Sequence, residues 1–72
     1  MKLSEAEIGR QLKITAVRGE VRARLESMGI VAGQFAQIMR FAPGNGALLV
    51  RVNGIYVIIR KEIAGDVEVE LA

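Results

Sequence analysis

The sequence predicts a mainly β domain: a small five-stranded barrel with one α-helix inserted after the first strand and a short N-terminal helical turn. Five short segments alternate apolar and polar residues, and in one further segment the apolar residues recur at helical spacing. One Asn-Gly pair is flanked by apolar runs. The chain has 72 residues, 51% of them hydrophobic, and is expected to form a single domain over residues 1–72. Closure into a barrel is expected because it removes exposed strand edges.

The first element is predicted as a helical turn over residues 3–9. Ser4 can cap this turn, and Glu7 follows three residues later as the partner in a capping box. Leu3 can pack against Ile8, and Gly9 suits a left-handed exit.

Residues 20–28 predict the one helix of the domain, and its apolar stripe consists of Val21, Leu25 and Met28. Gly29 is predicted to be the left-handed residue that ends the helix, which allows Ile30 to contact Leu25 in a Schellman turn. Gly33 is predicted to supply the positive φ of a tight turn into the next strand. The two glycines would thus fix the helix onto the sheet.

The remaining elements are strands. Asn53-Gly54 is the strongest hairpin signal in the chain, residues 42–46 have the composition of a loop, and residues 61–65 predict a short turn. The alternating segments are Leu12–Ala16, Phe35–Phe41, Ala47–Val52, Ile55–Arg60 and Val67–Leu71.

The composition argues against catalysis and against a resident metal. The chain has no histidine and no cysteine, so the commonest general base, the thiolate ligands and the disulfides are all missing. Neither a P-loop nor a dinucleotide-binding glycine motif follows any strand. We therefore expect no enzyme, no cofactor and no metal site.

Hydropathy and charge predict the compartment and exclude two classes of partner. The longest apolar runs fall far short of the roughly 20 residues that cross a bilayer, and the N-terminus does not resemble a signal peptide. The net charge is only +2, and the basic residues are scattered along the chain. A cytoplasmic protein that is not inserted in the membrane and binds no nucleic acid is expected.

Several local features allow two interpretations. Three strands have apolar residues on both faces, for example Ile58 beside Ile59, so either the helix and the N-terminal turn cover the second face or an exposed partner-binding patch remains. Glu68 and Glu70 could hold a hard cation loosely, although charges that keep an edge strand soluble are the favoured interpretation. For the arginines, a solvated face with local ion pairs is favoured over a phosphate-binding face; they are Arg18, Arg22 and Arg24 at the start of the helix and Arg40, Arg51 and Arg60 on the strands.

The order of four motifs resembles the FeoA family, the small cytosolic ferrous iron transport protein A, over essentially the whole chain. The motifs are "RLESMGIVAGQ" at residues 24–34, "RFAPGNG" at 40–46, "VNGIYVIIRKEIA" at 52–64 and "VEV" at 67–69. Two positions depart from the family pattern: Ala32 stands where proline is frequent, and Gly44-Asn45-Gly46 replaces a frequent Gly-Asp-Pro. The second departure removes an acidic residue and a rigid proline from a candidate contact loop.

The resemblance implies an SH3-like barrel that acts beside FeoB, the membrane permease for ferrous iron, which carries its own cytosolic GTPase domain. FeoA-like proteins are thought to dock there and to modulate transport or nucleotide turnover without carrying iron. This implies a cytoplasmic protein, peripheral to the inner membrane when bound to its partner. The alternatives are an SH3-like RNA-binding or repressor-type module and a weak carboxylate-based binder of divalent metals. A homo-oligomer or strand-exchanged dimer also remains open.

Two sets of residues follow from this interpretation. The residues predicted to contact the partner are Arg22, Met28 and Ile30 at the end of the helix, with Arg40, Phe41 and Asn45 at the loop. The residues predicted to have structural roles are Gly9, Leu25, Gly29, Gly33, Asn53 and Gly54.

Overall fold

A computed structural model describes residues 1–72 and confirms the mainly β fold. Five strands surround one core, with a single two-turn helix after the first strand. None of the helices combines the length and the apolar composition that crossing a bilayer requires. The strands are β1 (Leu12–Val17), β2 (Phe35–Phe41), β3 (Ala47–Val52), β4 (Ile55–Arg60) and β5 (Val67–Leu71), the helices α1 (Arg22–Ser27) and α2 (Lys61–Ala64), and the 3₁₀ turns Leu3–Glu5 and Pro43–Asn45.

The strands form one antiparallel sheet in the order β4-β3-β2-β1-β5. The molecule measures 27 × 25 × 22 Å, so the sheet curls around the core rather than lying flat. No ladder joins β4 to β5, and the short helix α2 connects them. The barrel therefore retains two edge strands.

The core consists only of apolar side chains, and no polar or charged residue is buried. Strands β1, β2, β3 and β5 contribute alternate residues, while the N-terminal turn and α1 each add a leucine. The buried residues are Leu3, Ala6, Leu12, Ile14, Val17, Leu25, Ile30, Ala36, Ile38, Leu48, Val50, Val52, Ile59, Ala64, Val67 and Val69.

Two β-bulges interrupt the simple alternation that the sequence predicts. In β1 the register shifts between Ile14 and Ala16, so that Val17 enters the core and Ala16 is only half-buried. In β2 it shifts between Ile38 and Arg40, so that Phe41 packs against the core. A bulge adds one residue to one strand, which reverses the face of every residue beyond it.

The predicted hairpin of β3 and β4 is confirmed, both in the bounds of its strands and in the type of its turn. Asn53 has φ 54° and Gly54 has φ 78°, the pair of positive values that a type I′ turn requires. Val52 and Ile55 pair on either side of the turn.

The helical segments differ in detail from their predictions. The N-terminal turn ends at Glu5, and the Lys2 amide donates to Glu5 Oε1 at 3.1 Å, so the predicted capping by Ser4 and Glu7 does not form. Ile8 is 53% exposed and makes no staple with the buried Leu3. Helix α1 is shorter than predicted, and the predicted turn at residues 61–65 contains the one-turn helix α2.

Candidate partner-binding surface

Helix α1 ends in the predicted Schellman turn. The Ile30 amide donates to the Leu25 carbonyl at 3.0 Å, and the Gly29 amide donates to the Glu26 carbonyl at 3.1 Å. Gly29 has φ 91°, which a residue with a Cβ adopts only with strain. The turn directs Ile30 inward, beside Leu25.

The burial of Ile30 corrects one of the predicted partner contacts. Its side chain is completely buried, so it belongs to the core and cannot face a partner. Met28, two residues earlier, is 36% exposed, and Arg22 is exposed with its Nε 3.2 Å from Glu26 Oε2. Arg22 and Met28 therefore remain on the surface at the two ends of α1.

The turn after α1 is held on the sheet by β1. The Gly33 amide donates to the Ile14 carbonyl at 2.7 Å, and the Ile14 amide donates to Gln34 at 2.8 Å. Gly33 has φ 96°, as predicted. In a similar way, Gly9 (φ 85°) fixes the N-terminal segment to β2 by two hydrogen bonds. The Gly9 amide donates to the Ile38 carbonyl at 2.9 Å, and Gln37 Nε2 donates to the Gly9 carbonyl at 2.7 Å.

The predicted loop contacts are only partly available. Arg40 is exposed at the end of β2, and Asn45 is exposed with φ 58° in the 3₁₀ turn that follows. Phe41 is half-buried and packs against the core because of the β2 bulge. Since α1 packs mainly against β1, the predicted contacts divide between α1 and the β2 loop rather than forming one cluster.

The structure shows a further apolar surface that the sequence left undecided. We call it the β2–β4 outer face; Leu49 and Ile58 are paired neighbours at its centre, and Ile58 is 75% exposed. Helix α1 does not cover it. Its members, row by row across the strands, are Gln37, Arg51 and Tyr56, then Arg40, Leu49 and Ile58, then Ala47 and Arg60.

The three arginines of the β2–β4 outer face, unlike Arg22, have no carboxylate partner. None of the ion pairs in the structure includes Arg40, Arg51 or Arg60. Residues 27–61 contain no Asp or Glu at all, and every acidic residue of the chain lies before or after them. The predicted local ion pairs thus include the one of Arg22 with Glu26 and are missing for the strand arginines, and the positions of the acidic residues along the chain could have indicated this.

The two edge strands differ in how they are covered. The chain's own N-terminus lies along β5, where the Val69 amide donates to the Met1 carbonyl at 2.7 Å and Lys2 forms a bridge with Glu68. The backbone of β4 pairs with β3 and makes no backbone hydrogen bond on its other side. The open edge of the sheet therefore borders the β2–β4 outer face.

The acidic residues do not assemble into a metal site. No group of three or more His, Cys, Asp or Glu residues converges in the structure. Glu68 lies beside the N-terminal ammonium group, with Oε2 3.9 Å from the Met1 nitrogen, and this oxygen is buried without a hydrogen bond. Because the Glu68 side chain is one-third exposed, the contact is a weak ion pair.

Comparison with known proteins gives one consistent result. A model of the FeoA domain matches residues 1–71. A fusion of Fe(2+) transport protein A with the Fe(2+) transporter FeoB from Porphyromonas gingivalis is 37% identical over 73 residues; the match covers 99% of this chain and 9% of the fusion protein.

Solved structures show the same fold. The FeoA protein of Chlorobium tepidum is 34% identical with a TM-score of 0.89, over 99% of this chain and 70% of that one. A zinc complex of Stenotrophomonas maltophilia FeoA, described as a prokaryotic SH3 domain protein, is 26% identical with a TM-score of 0.85, over 97% of this chain and 89% of that one.

Proposed function

The chain belongs to the FeoA family, and from that premise we propose that it is an accessory protein of bacterial ferrous iron uptake. In this role it docks on the FeoB permease from the cytoplasmic side and modulates transport or GTP hydrolysis through protein–protein contacts. It carries out no chemistry of its own and takes no cofactor.

The observation that carries the proposal is the fused relative of Porphyromonas gingivalis. There, a segment 37% identical to this chain shares one polypeptide with the FeoB transporter. Because the chain spans only 9% of that protein, its relation to the rest of the transporter is an inference from linkage. Covalent linkage holds two domains at a high effective concentration, which favours a working contact between them.

The charge distribution favours a docking role over iron carriage. The strands β2, β3 and β4 bear arginines and no carboxylate, and this field repels a divalent cation. No acidic cluster forms elsewhere to bind one. The exposed apolar side chains of β4, by contrast, are typical of a protein contact.

The residues proposed to contact the permease are the surface members of the predicted set. Met28 presents a flexible apolar side chain beside the rigid end of α1, and Arg22 lies one to two turns away on the same helix. Arg40 and Asn45 form a second group at the end of β2 and its loop. Phe41 is half-buried against the core and contributes only its exposed part, and Ile30 is excluded by its burial.

A direct binding experiment tests the function. The purified chain is titrated at physiological salt against full-length FeoB of the same genome in detergent, and against its soluble GTPase region with GDP or a GTP analogue. GTP hydrolysis is measured with and without the chain. Saturable binding with a changed hydrolysis rate or iron uptake supports the proposal, and no binding to the full-length permease in either nucleotide state contradicts it.

A further inference from the structure

The β2–β4 outer face has the composition of a protein interface. Ile58 and Tyr56 are 75% and 57% exposed, and Leu49 lies half-buried between the strands. Arginines surround this apolar centre on the same face. Aromatic residues and arginine are enriched in protein interfaces, where an apolar centre is enclosed by a polar rim.

The charges of this face define what can cover it. Arg40, Arg51 and Arg60 have no intramolecular partner, and no acidic residue lies on β2, β3 or β4. A second copy of the chain, paired through β4, would join two faces of like charge, which is unfavourable. The complementary occupant is a segment that brings apolar and acidic side chains together.

The open edge of β4 also favours an occupant that can form backbone hydrogen bonds. The edge of β5 is already covered by Met1 and Lys2, whereas β4 has unpaired groups beside Ile58. An extended peptide can add to such an edge, with alternate side chains on the exposed face. A lipid headgroup can neutralise arginines but cannot pair with a strand, so the edge favours a protein.

We infer that the β2–β4 outer face and the β4 edge bind one extended, acidic and apolar segment of the FeoB permease. The inference rests on the proposed function for the identity of the partner, and it adds the surface and the chemistry of the segment. Apolar residues of the segment cover Tyr56 and Ile58, and its carboxylates pair with Arg60 on β4 and Arg51 on β3, the two arginines nearest the added strand. The segment becomes a sixth strand of the sheet.

The first test uses two variants of the face and two matched controls. Ile58→Asp places a carboxylate at the most exposed apolar position, and Arg60→Glu reverses a rim charge. Ile8→Asp and Arg10→Glu make the same chemical changes at exposed positions before β1. Titration against full-length FeoB should show affinity losses of about tenfold or more for the first two and less than about twofold for the controls.

Two further measurements separate the possible occupants. Amide hydrogen exchange of β4 should slow in the complex, because a sixth strand protects its free edge, and wild-type affinity should fall with added salt. Binding of phosphatidylglycerol vesicles, abolished by Ile58→Asp while FeoB binding is retained, would instead assign the face to the membrane and overturn the inference.

The outcomes distinguish the inference from the function on which it rests. If wild-type chain binds FeoB and both face variants bind equally well, the surface assignment is wrong and the docking function stands. If wild-type chain does not bind full-length FeoB, the function fails and the inference fails with it. Thermal unfolding of each variant verifies that a binding loss does not reflect a lost fold.

Discussion

The carbonyl oxygen of Leu25 accepts a hydrogen bond from the amide of Ile30 at 3.0 Å, and both side chains are buried in the core. This contact fixes the end of helix α1 onto the barrel through the left-handed Gly29. It also gives two neighbouring apolar residues different environments, because Ile30 turns into the core while Met28 stays 36% exposed.

Truncating these two residues should therefore have very different effects. Ile30→Ala leaves a cavity in a small core and is expected to lower the free energy of unfolding by about 2–5 kcal/mol. Met28→Ala is expected to lower it by less than about 1 kcal/mol. Urea unfolding followed by circular dichroism measures both free energies of unfolding. Equal losses would contradict the assignment of Ile30 to the core and of Met28 to the surface.

A charge at Met28 tests the α1 part of the docking proposal. Met28→Asp should leave the fold intact and weaken FeoB binding by about tenfold, because a desolvated carboxylate opposes an apolar contact. Leu71→Asp, at a 53% exposed position on β5, is the matched control and should bind normally. If Met28→Asp instead unfolds the chain, Met28 acts as a core residue and its docking role is lost.

Gly19 has a backbone conformation that a residue with a side chain adopts only with strain. Its φ is 87°, and a Cβ there would overlap the Asp66 carboxylate, with Asp66 Cγ 2.9 Å away. Gly19→Ala is expected to cost about 1–3 kcal/mol. Gly46, with φ −82° and open space around it, is the control, and Gly46→Ala should be neutral or stabilising by up to about 1 kcal/mol. Thermal unfolding midpoints measure both variants, and equal midpoints would contradict the predicted difference between the two positions.

The β3–β4 turn should tolerate changes only where they suit positive φ. Gly54→Val places a β-branched residue at φ 78° and is expected to cost about 1–3 kcal/mol. Asn53→Gly keeps a residue that accepts φ 54° and should change stability by less than about 1 kcal/mol. Similar losses in the two variants would show that the turn geometry does not limit stability.

Local patterns in the sequence were sufficient for most of the fold. The Asn53-Gly54 pair requires positive φ at two adjacent residues, and alternation over β3 and β4 specifies which face is buried. The glycine at position 29 similarly specifies the helix end. These features depend on residues close in the chain, and the structure confirms them.

Contacts between residues far apart in the chain determine the features that local sequence patterns could not predict. The bulge in β2 turns Phe41 inward because of its register with β3, a partner that local periodicity does not include. The same register gathers Arg40, Arg51 and Arg60 around Ile58, although these residues are separated along the chain.

The sequence by itself determined the five strands, helix α1, the glycine turns and the absence of histidine and cysteine. The tertiary structure alone decided that Ile30 is core, that β5 is covered by the N-terminus and that β4 is open. The physical reason is that secondary structure follows from steric preferences and alternation of neighbouring residues, whereas burial and edge exposure depend on which distant strands meet.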